Sequence, residues 1–488
     1  MRLEWNYFKP LSDEWGSRGA MLSTGWTRRL NSSLIPFSGP DHFSFWVSTY
    51  FDGFGREIST RSDGPGGAGP ATVAADTIYD QNGRVYMKSY PYFPGLENPR
   101  YIQYTYDCLG RTIQKTNLAD GTTTQIAYCQ ALTTVTDPNG NSTTRQRDVF
   151  GRVTQVVEPL GFVTNYQYDA LGNLLQVTDA QSHQTTIVYD PLSRKIQMTD
   201  PVMGTWSYQY DSNGNLMSQI DAKGQTINFQ YDALSRLTNK HYLNYQNGAY
   251  DVTYNYDESW STNAVGKLTS VVDYSGTTQF YYNKEGRTTQ VLRTIDSVQY
   301  PTVFQYDLLG HILNITYPDQ DFVNYAYDGA FNMTSASNSQ VVYASFSGYN
   351  ALGQPGQIAF GNGSTTTFSY YATNNRLLEL TTTTPGSGTV QDFTYDSYDN
   401  NGNIKTITDH VNSGNTQTFT YDPLNRLATA NGPYGLLTFN IDAVGNLGGN
   451  ADNGNRSSIP QLTYDYDNRV TGAGAAAYVK SLETPAGG

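Results

Sequence analysis

The chain reads as an all-β protein, a tandem array of antiparallel hairpins in one long coiled sheet. Three observations predict this. Between Tyr168 and Arg236 one motif occurs four times, with Asp169, Asp190, Asp211 and Asp232 each 21 residues apart. A fixed period in this range marks a repeat architecture, in which each unit buries its apolar face only against its neighbours. Apolar residues before each motif alternate with period two, the mark of a strand. The 488 residues include 40 Tyr and 46 Gly but only 15% charged residues, a composition suited to strands and tight turns.

The four copies are Tyr168-Asp169-Ala-Leu-Gly172-Asn173, Tyr189-Asp190-Pro-Leu-Ser193-Arg194, Tyr210-Asp211-Ser-Asn-Gly214-Asn215 and Tyr231-Asp232-Ala-Leu-Ser235-Arg236. Asp at the first position and Pro at the second suit a type I turn, and the Asp side chain can accept backbone N–H groups. Gly172 and Gly214 occupy a slot that wants positive φ. Ser193 and Ser235 in that slot are expected to be strained or differently turned. Thr164, Tyr166 and Tyr168 share one strand face, as do Ile187 and Tyr189, then Trp206, Tyr208 and Tyr210, then Ile227, Phe229 and Tyr231. A second run follows each turn and ends at Asp179, Asp200 or Asp221, where a return turn sends the chain back.

Tyr-Asp-x-x-Gly-Arg/Asn at 21-residue spacing, with its return turn, resembles the YD repeat of Rhs proteins. Related repeats occur in insecticidal toxin-complex proteins, wall-associated proteins and teneurins. The resemblance covers residues 45–470 and implies a sheet that spirals into a hollow shell or tube wall.

Taken in order, residues 1–44 do not repeat and are expected to cap the first strand edge or to be the remainder of a larger upstream region. Loose copies begin at Asp52-Gly-Phe-Gly55-Arg56, followed by a Gly/Pro-rich insertion at 64–70, then Tyr79-Asp80 and Tyr106-Asp107. Tyr128-Cys129 is a hidden copy, with Cys129 where Asp would stand. The regular block starts at Asp148. Beyond it come Tyr256-Asp257, Tyr282-Asn283, Tyr306-Asp307, Tyr327-Asp328, Tyr349-Asn350, Asp399, Tyr421-Asp422, Asp442 and Tyr466-Asp467. Thr381 to Val390 reads as a loop, and 471–488 as a Gly/Ala-rich tail. The count is about nineteen copies and roughly 38 strands, a ribbon on the order of 180 Å at ~4.8 Å per strand. For a shell about 50 Å across, that is only about one turn of wall.

The net charge of −13 argues against a nucleic-acid partner, because phosphate binding needs a basic surface. No apolar run approaches the length of a membrane span, and the start lacks the apolar core of a signal peptide. Cys108 and Cys129 lack the close partners of a zinc site and read as free thiols or as one disulfide between copies. His42, His183, His241, His311 and His410 fall in unrelated slots. No nucleophile elbow, phosphate loop or zinc signature occurs, so the chain is read as non-enzymatic, with no cofactor and no metal.

The turn residues Tyr168, Asp169, Gly172, Tyr189, Asp190, Tyr210, Asp211, Gly214, Tyr231, Asp232, Tyr421 and Asp422 are read as structural. Tyr166, Trp206, Tyr208 and Phe229 are the ligand-facing candidates. Successive repeat tyrosines should stand ~9.6 Å apart, beyond direct ring contact, so an intervening strand must fill the gap. By resemblance, complete family members end in an Asp-Pro-x-x-Gly-Arg-Phe plug and a self-cleaved toxin; neither motif is seen here. The resemblance implies a shell that carries an encapsulated polypeptide, with a completing shell chain, at the cell surface or outside it after secretion. A self-assembling tube or filament, with copies of itself as partners, and a glycan-binding adhesion protein are the alternatives.

Overall fold

The computed structural model describes residues 3–5, 28–30, 46–66, 69–201, 203–243 and 250–452. Most of the expected N-terminal cap, the copy at Tyr466-Asp467, His42 and the 471–488 tail lie outside the described residues. Among the described residues there are strands, turns and two single-turn 3₁₀ segments, and no α-helix. Two compact units divide the chain. One comprises Met1–Ala127, Val135–Gly140 and Tyr325–Ser413, the other Tyr128–Thr134, Asn141–Asn324 and Gly414–Gly488.

In the second unit, Val163–Tyr168 pairs antiparallel with Leu174–Thr178, which pairs with Gln184–Tyr189. The meander continues through Lys195–Asp200, Gly204–Tyr210, Leu216–Ile220 and Thr226–Tyr231. Each strand ending in the repeat Tyr carries a register shift immediately before it, between Gln167 and Tyr168, Val188 and Tyr189, Gln209 and Tyr210, and Gln230 and Tyr231. Alternation along these strands matches the predicted faces. Ile187 and Tyr189 are half-buried while Thr186 and Val188 are exposed. In the first unit the same meander runs from Val47–Phe51 through Glu57–Asp63, Thr72–Tyr79 and Val85–Ser89 to Tyr101–Tyr106.

The hairpin connection is a type I turn closed by a left-handed residue, the three-residue loop whose twist suits paired strands. At Asp169 the N–H of Gly172 donates to the Asp169 carbonyl, and the N–H of Asp169 donates to the Asn173 carbonyl. Gly172 has φ +94. Ser193 and Ser235 are not differently turned: they keep the same hydrogen bonds at φ 61 and 59. The return turns at Asp179 and Asp221 use the same pattern, so one turn type serves both ends of the hairpins.

Two expectations change. Thr381–Val390 is not a loop. Leu377–Thr384 and Gly388–Tyr398 pair through it, with Thr381 opposite Asp392 and Thr383 opposite Thr389. Its β-branched threonines prefer a pleated strand, and only the Pro-Gly-Ser stretch between the strands turns. The Cys129 copy does not form the Asp-type turn either. Only Gln130 and Ala131 separate Thr123–Cys129 from Leu132–Thr136.

Candidate functional site

The feature that repeats most faithfully is the row of Tyr-Asp turns. In the 190–194 turn, Asp190 Oδ1 accepts the N–H groups of Leu192 (2.9 Å) and Arg194 (3.0 Å). Its Oδ2 accepts Arg194 Nε at 2.6 Å. The Arg194 N–H, helped by the guanidinium, holds the Asp190 carboxyl below the ordinary aspartate range. Asp232 with Arg236, Asp148 with Arg152 and Asp422 with Arg426 repeat the arrangement. Where Asn replaces Arg, its amide takes the same oxygen, as Asn173 does on Asp169 (2.7 Å) and Asn215 on Asp211 (2.9 Å). His183 and His311 fill the slot with Nδ1 on Asp179 and Asp307.

The arginine also reaches forward into the next copy. Arg194 Nη1 donates to the Asp211 carbonyl (2.7 Å), and Arg152 Nη1 to the Asp169 carbonyl (2.9 Å). The guanidinium carbon of Arg194 lies 5.1 Å from the centre of the Tyr210 ring, and that of Arg152 lies 4.8 Å from Tyr168. Tyr210 in turn donates its hydroxyl to the Lys195 carbonyl (2.9 Å), and Tyr168 to the Val153 carbonyl (3.0 Å). The same closed circuit joins Arg84 to Tyr106 and Asp107, and Arg376 to Tyr398 and Asp399, in the first unit.

Where the preceding turn carries Arg, the space before the next tyrosine is therefore filled at the rim by a guanidinium, as at Tyr168 and Tyr210. Cation–π contact reaches to about 6 Å, well within this geometry. The sequence reading assigned no role to Arg152, Arg194, Arg236 or Arg426. Their signal was present: an arginine four positions after Asp148, Asp190, Asp232 and Asp422.

Tyr166, Trp206, Tyr208 and Phe229 are half-buried in the sheet. Trp206 Nε1 donates to the Met203 carbonyl (3.0 Å), and the Lys195 ammonium sits 4.4 Å from the Tyr208 ring centre. The indole N–H of Trp206 and the ring face of Tyr208 are thus engaged by the protein. Cys108 and Cys129 are each exposed and free.

One cavity of about 320 Å³ in the first unit is lined by Asp120, Thr122, Gln125, Asp137, Pro138 and Asn400 among others. Burial pushes the Asp120 carboxyl up, but the Thr122 hydroxyl and N–H and the Asn374 amide outweigh it and hold it below the ordinary range. The lining offers carboxylates, hydroxyls and amides, with no thiol or imidazole. Among the described residues, no three His, Cys, Asp or Glu side chains gather as a metal site. No helix among them is long and apolar enough to cross a membrane.

Turns distant in sequence also meet within each unit. In the second unit Gln181 Nε2 donates to Asp442 Oδ2 (2.8 Å), and the Arg426 guanidinium lies 5.9 Å from the Phe162 ring centre. In the first, Asn139 Nδ2 donates to Asp399 Oδ2 (3.0 Å), and Asn401 Nδ2 to Asp137 Oδ2 (2.6 Å). The ribbon thus comes alongside itself at a separation of 261 residues in the second unit.

No curated protein sequence matches the chain. The teneurin YD-shell family model matches residues 132–261, and the RHS repeat model matches 398–436. Among solved structures, the chain is similar to the crystal structure of TcdB2-TccC3, at a TM-score of 0.77 and 18% identity over 91% of this chain and 28% of that one. It is equally similar to the Photorhabdus luminescens Tc holotoxin pore, at a TM-score of 0.77 and 18% identity over 91% of this chain and 27% of that one. The chain therefore spans little more than a quarter of the length of these structures. Residues 132–261 and 398–436 match YD-shell and RHS-repeat families, on a β-fold that the chain shares with TcdB2-TccC3.

Proposed function

We propose that the chain is a non-enzymatic wall section of a Tc- or Rhs-type shell, which encloses a polypeptide cargo. The observation that carries this reading is the Arg–Tyr–Asp circuit, which at alternate copies of the regular block ties one hairpin to the next by side chains as well as by the strand ladder. Such a rim stiffens a long sheet that would otherwise be held only along its hydrogen-bonded edges. The fold shared with TcdB2-TccC3 supports a containing wall, and the unpaired exposed thiols suit a chain that does not depend on disulfides for strength. The engaged indole N–H of Trp206 and ring face of Tyr208 weigh against the glycan-binding reading. The same likeness supports a location outside the producing cell, with a completing shell chain as partner.

The test is electron microscopy of the purified full chain, alone and co-expressed with the polypeptides encoded beside it. Particles with a stain-filled interior that fills on co-expression are expected. Solid particles without a concave face, alone and with every neighbour, overturn the reading.

A further inference from the structure

At four Tyr-Asp turns of the second unit, 148–152, 169–173, 190–194 and 232–236, the residue two after Asp is a large apolar side chain left in water, while the turn at 211–215 carries the polar Asn213 there. Phe150 is 77% exposed, Leu171 75%, Leu192 70% and Leu234 73%. At 422–426 and 442–446 of the same unit, the equivalent Leu424 and Val444 are half-buried. These two turns are the ones that meet return turns, through Arg426 on Phe162 and Asp442 on Gln181.

The contact has a defined chemistry. On the return turn, the amide two residues after Asp donates to the carboxylate of a Tyr-Asp turn. Gln181 does this to Asp442 in one unit, and Asn139 does it to Asp399 in the other. The same position in the return turn at Asp221 is Lys223, exposed and cationic. Aromatic groups accompany it on neighbouring return turns: Tyr274 is 84% exposed and Tyr317 39%.

We propose that the rim formed by Phe150, Leu171, Leu192 and Leu234 docks on the return-turn rim of a second copy of this chain. The chain makes a contact of this kind with itself at Gln181 and Asp442, and both rims are present in every copy. Exposed apolar groups on four of the five turns from 148 to 236, beside Asp and Arg, are what an interaction edge presents. The two surfaces differ, so the contact is head-to-tail and does not close on itself; copies add one upon another. The net charge of −13 opposes approach, so salt that screens it strengthens the association.

Sedimentation velocity of the full chain over a hundredfold concentration range, at low and high salt, tests this. The weight-average mass is expected to rise with concentration and with salt. Leu171→Asp with Leu192→Asp is expected to hold the chain at monomer mass with an unchanged circular dichroism spectrum. Lys223→Glu, on the opposite rim, is expected to weaken association tenfold or more, and it carries the test alone if the leucine variant does not fold. Mixing the two variants should give dimers that grow no further, since each retains one working rim. Monomers at every concentration and salt, or association untouched by both sets of substitutions, overturn the proposal. Monomers that still enclose a hollow would leave the wall-section reading standing.

Discussion

The Nδ2 of Asn173 donates to the hydroxyl of Ser193, 3.1 Å away in the next hairpin. Asn215 makes the same bond to Ser235 at 3.2 Å. The two serines hold the left-handed turn position that glycine holds elsewhere. Where Arg152 and Arg194 precede, the following position is Gly172 or Gly214. A Cβ would press on the guanidinium at Gly310, 3.2 Å from Arg287, and at Gly402, 3.1 Å from Arg376, whereas at Gly172 it would meet Arg152 at an ordinary 3.8 Å. In the regular block it is the short amide that reaches the side chain of the next turn.

This coupling is testable by a double-mutant cycle. Gly172→Ser alone should destabilise, from left-handed strain of about 1–2 kcal/mol. Combined with Arg152→Asn, it should lose less than the sum of the two single changes, because the shorter amide could donate to the new hydroxyl. Strict additivity in denaturant melts would contradict the pairing.

Removing one hydroxyl of the rim should be felt locally. Tyr210→Phe keeps the ring under Arg194 but loses the bond to the Lys195 carbonyl, at a cost of about 1 kcal/mol. Hydrogen exchange should rise in 195–210 and stay unchanged in 268–282. A variant as stable as the parent would make the hydroxyl dispensable.

Acid should loosen the rim. Asp190 and Asp232 are held low first by the N–H groups of Arg194 and Arg236, and Asp169 first by the Asn173 amide. A carboxyl whose folded pKa is depressed contributes stability above its unfolded value, near 3.8, and loses it as pH falls through the folded value. The melting temperature should therefore hold from pH 7 to about 5 and fall below about 4. A flat profile to pH 2.5 would show that the carboxylates do not stabilise the turns.

At alkaline pH the tyrosines should titrate in two classes. Burial, with Tyr395 and Tyr371 nearby, pushes Tyr398 up to about 12. Burial and the Asp76 carboxylate do the same to Tyr92. For a raised pKa, the contribution to stability is complete below the unfolded value, near 10, and is lost as pH rises to the folded one. Absorbance at 295 nm should show a late fraction that is missing in Tyr398→Phe with Tyr92→Phe. A single titration near pH 10 would contradict this.

The hairpins, the Asp-held turns and the half-buried tyrosine face were all legible, because each rests on local rules of period and turn chemistry. Asp190 and its neighbours could be placed from spacing alone. The forward reach of Arg194 was not read, because a 3.6-residue or two-residue period says nothing about side chains that span copies. Thr381 to Val390 was misread because Gly and Ser near a turn masked the strand preference of its threonines. The meeting of Gln181 with Asp442 was out of reach. Their separation of 261 residues is set by how strongly the sheet coils, and no residue in either turn encodes it.

The alternation of Asn with Ser and of Arg with Gly in the regular block has a consequence for heredity. Turn for turn, the block runs Arg152, Asn173, Arg194, Asn215, Arg236, so its true structural period is two copies rather than one. Deleting the 169 copy by unequal recombination would place Arg152 before Ser193 and remove the amide from which the Ser193 hydroxyl accepts. Deleting or duplicating an adjacent pair preserves every junction. Genes for this block should thus change length by pairs of 21-residue copies, with odd steps weeded out as parity errors.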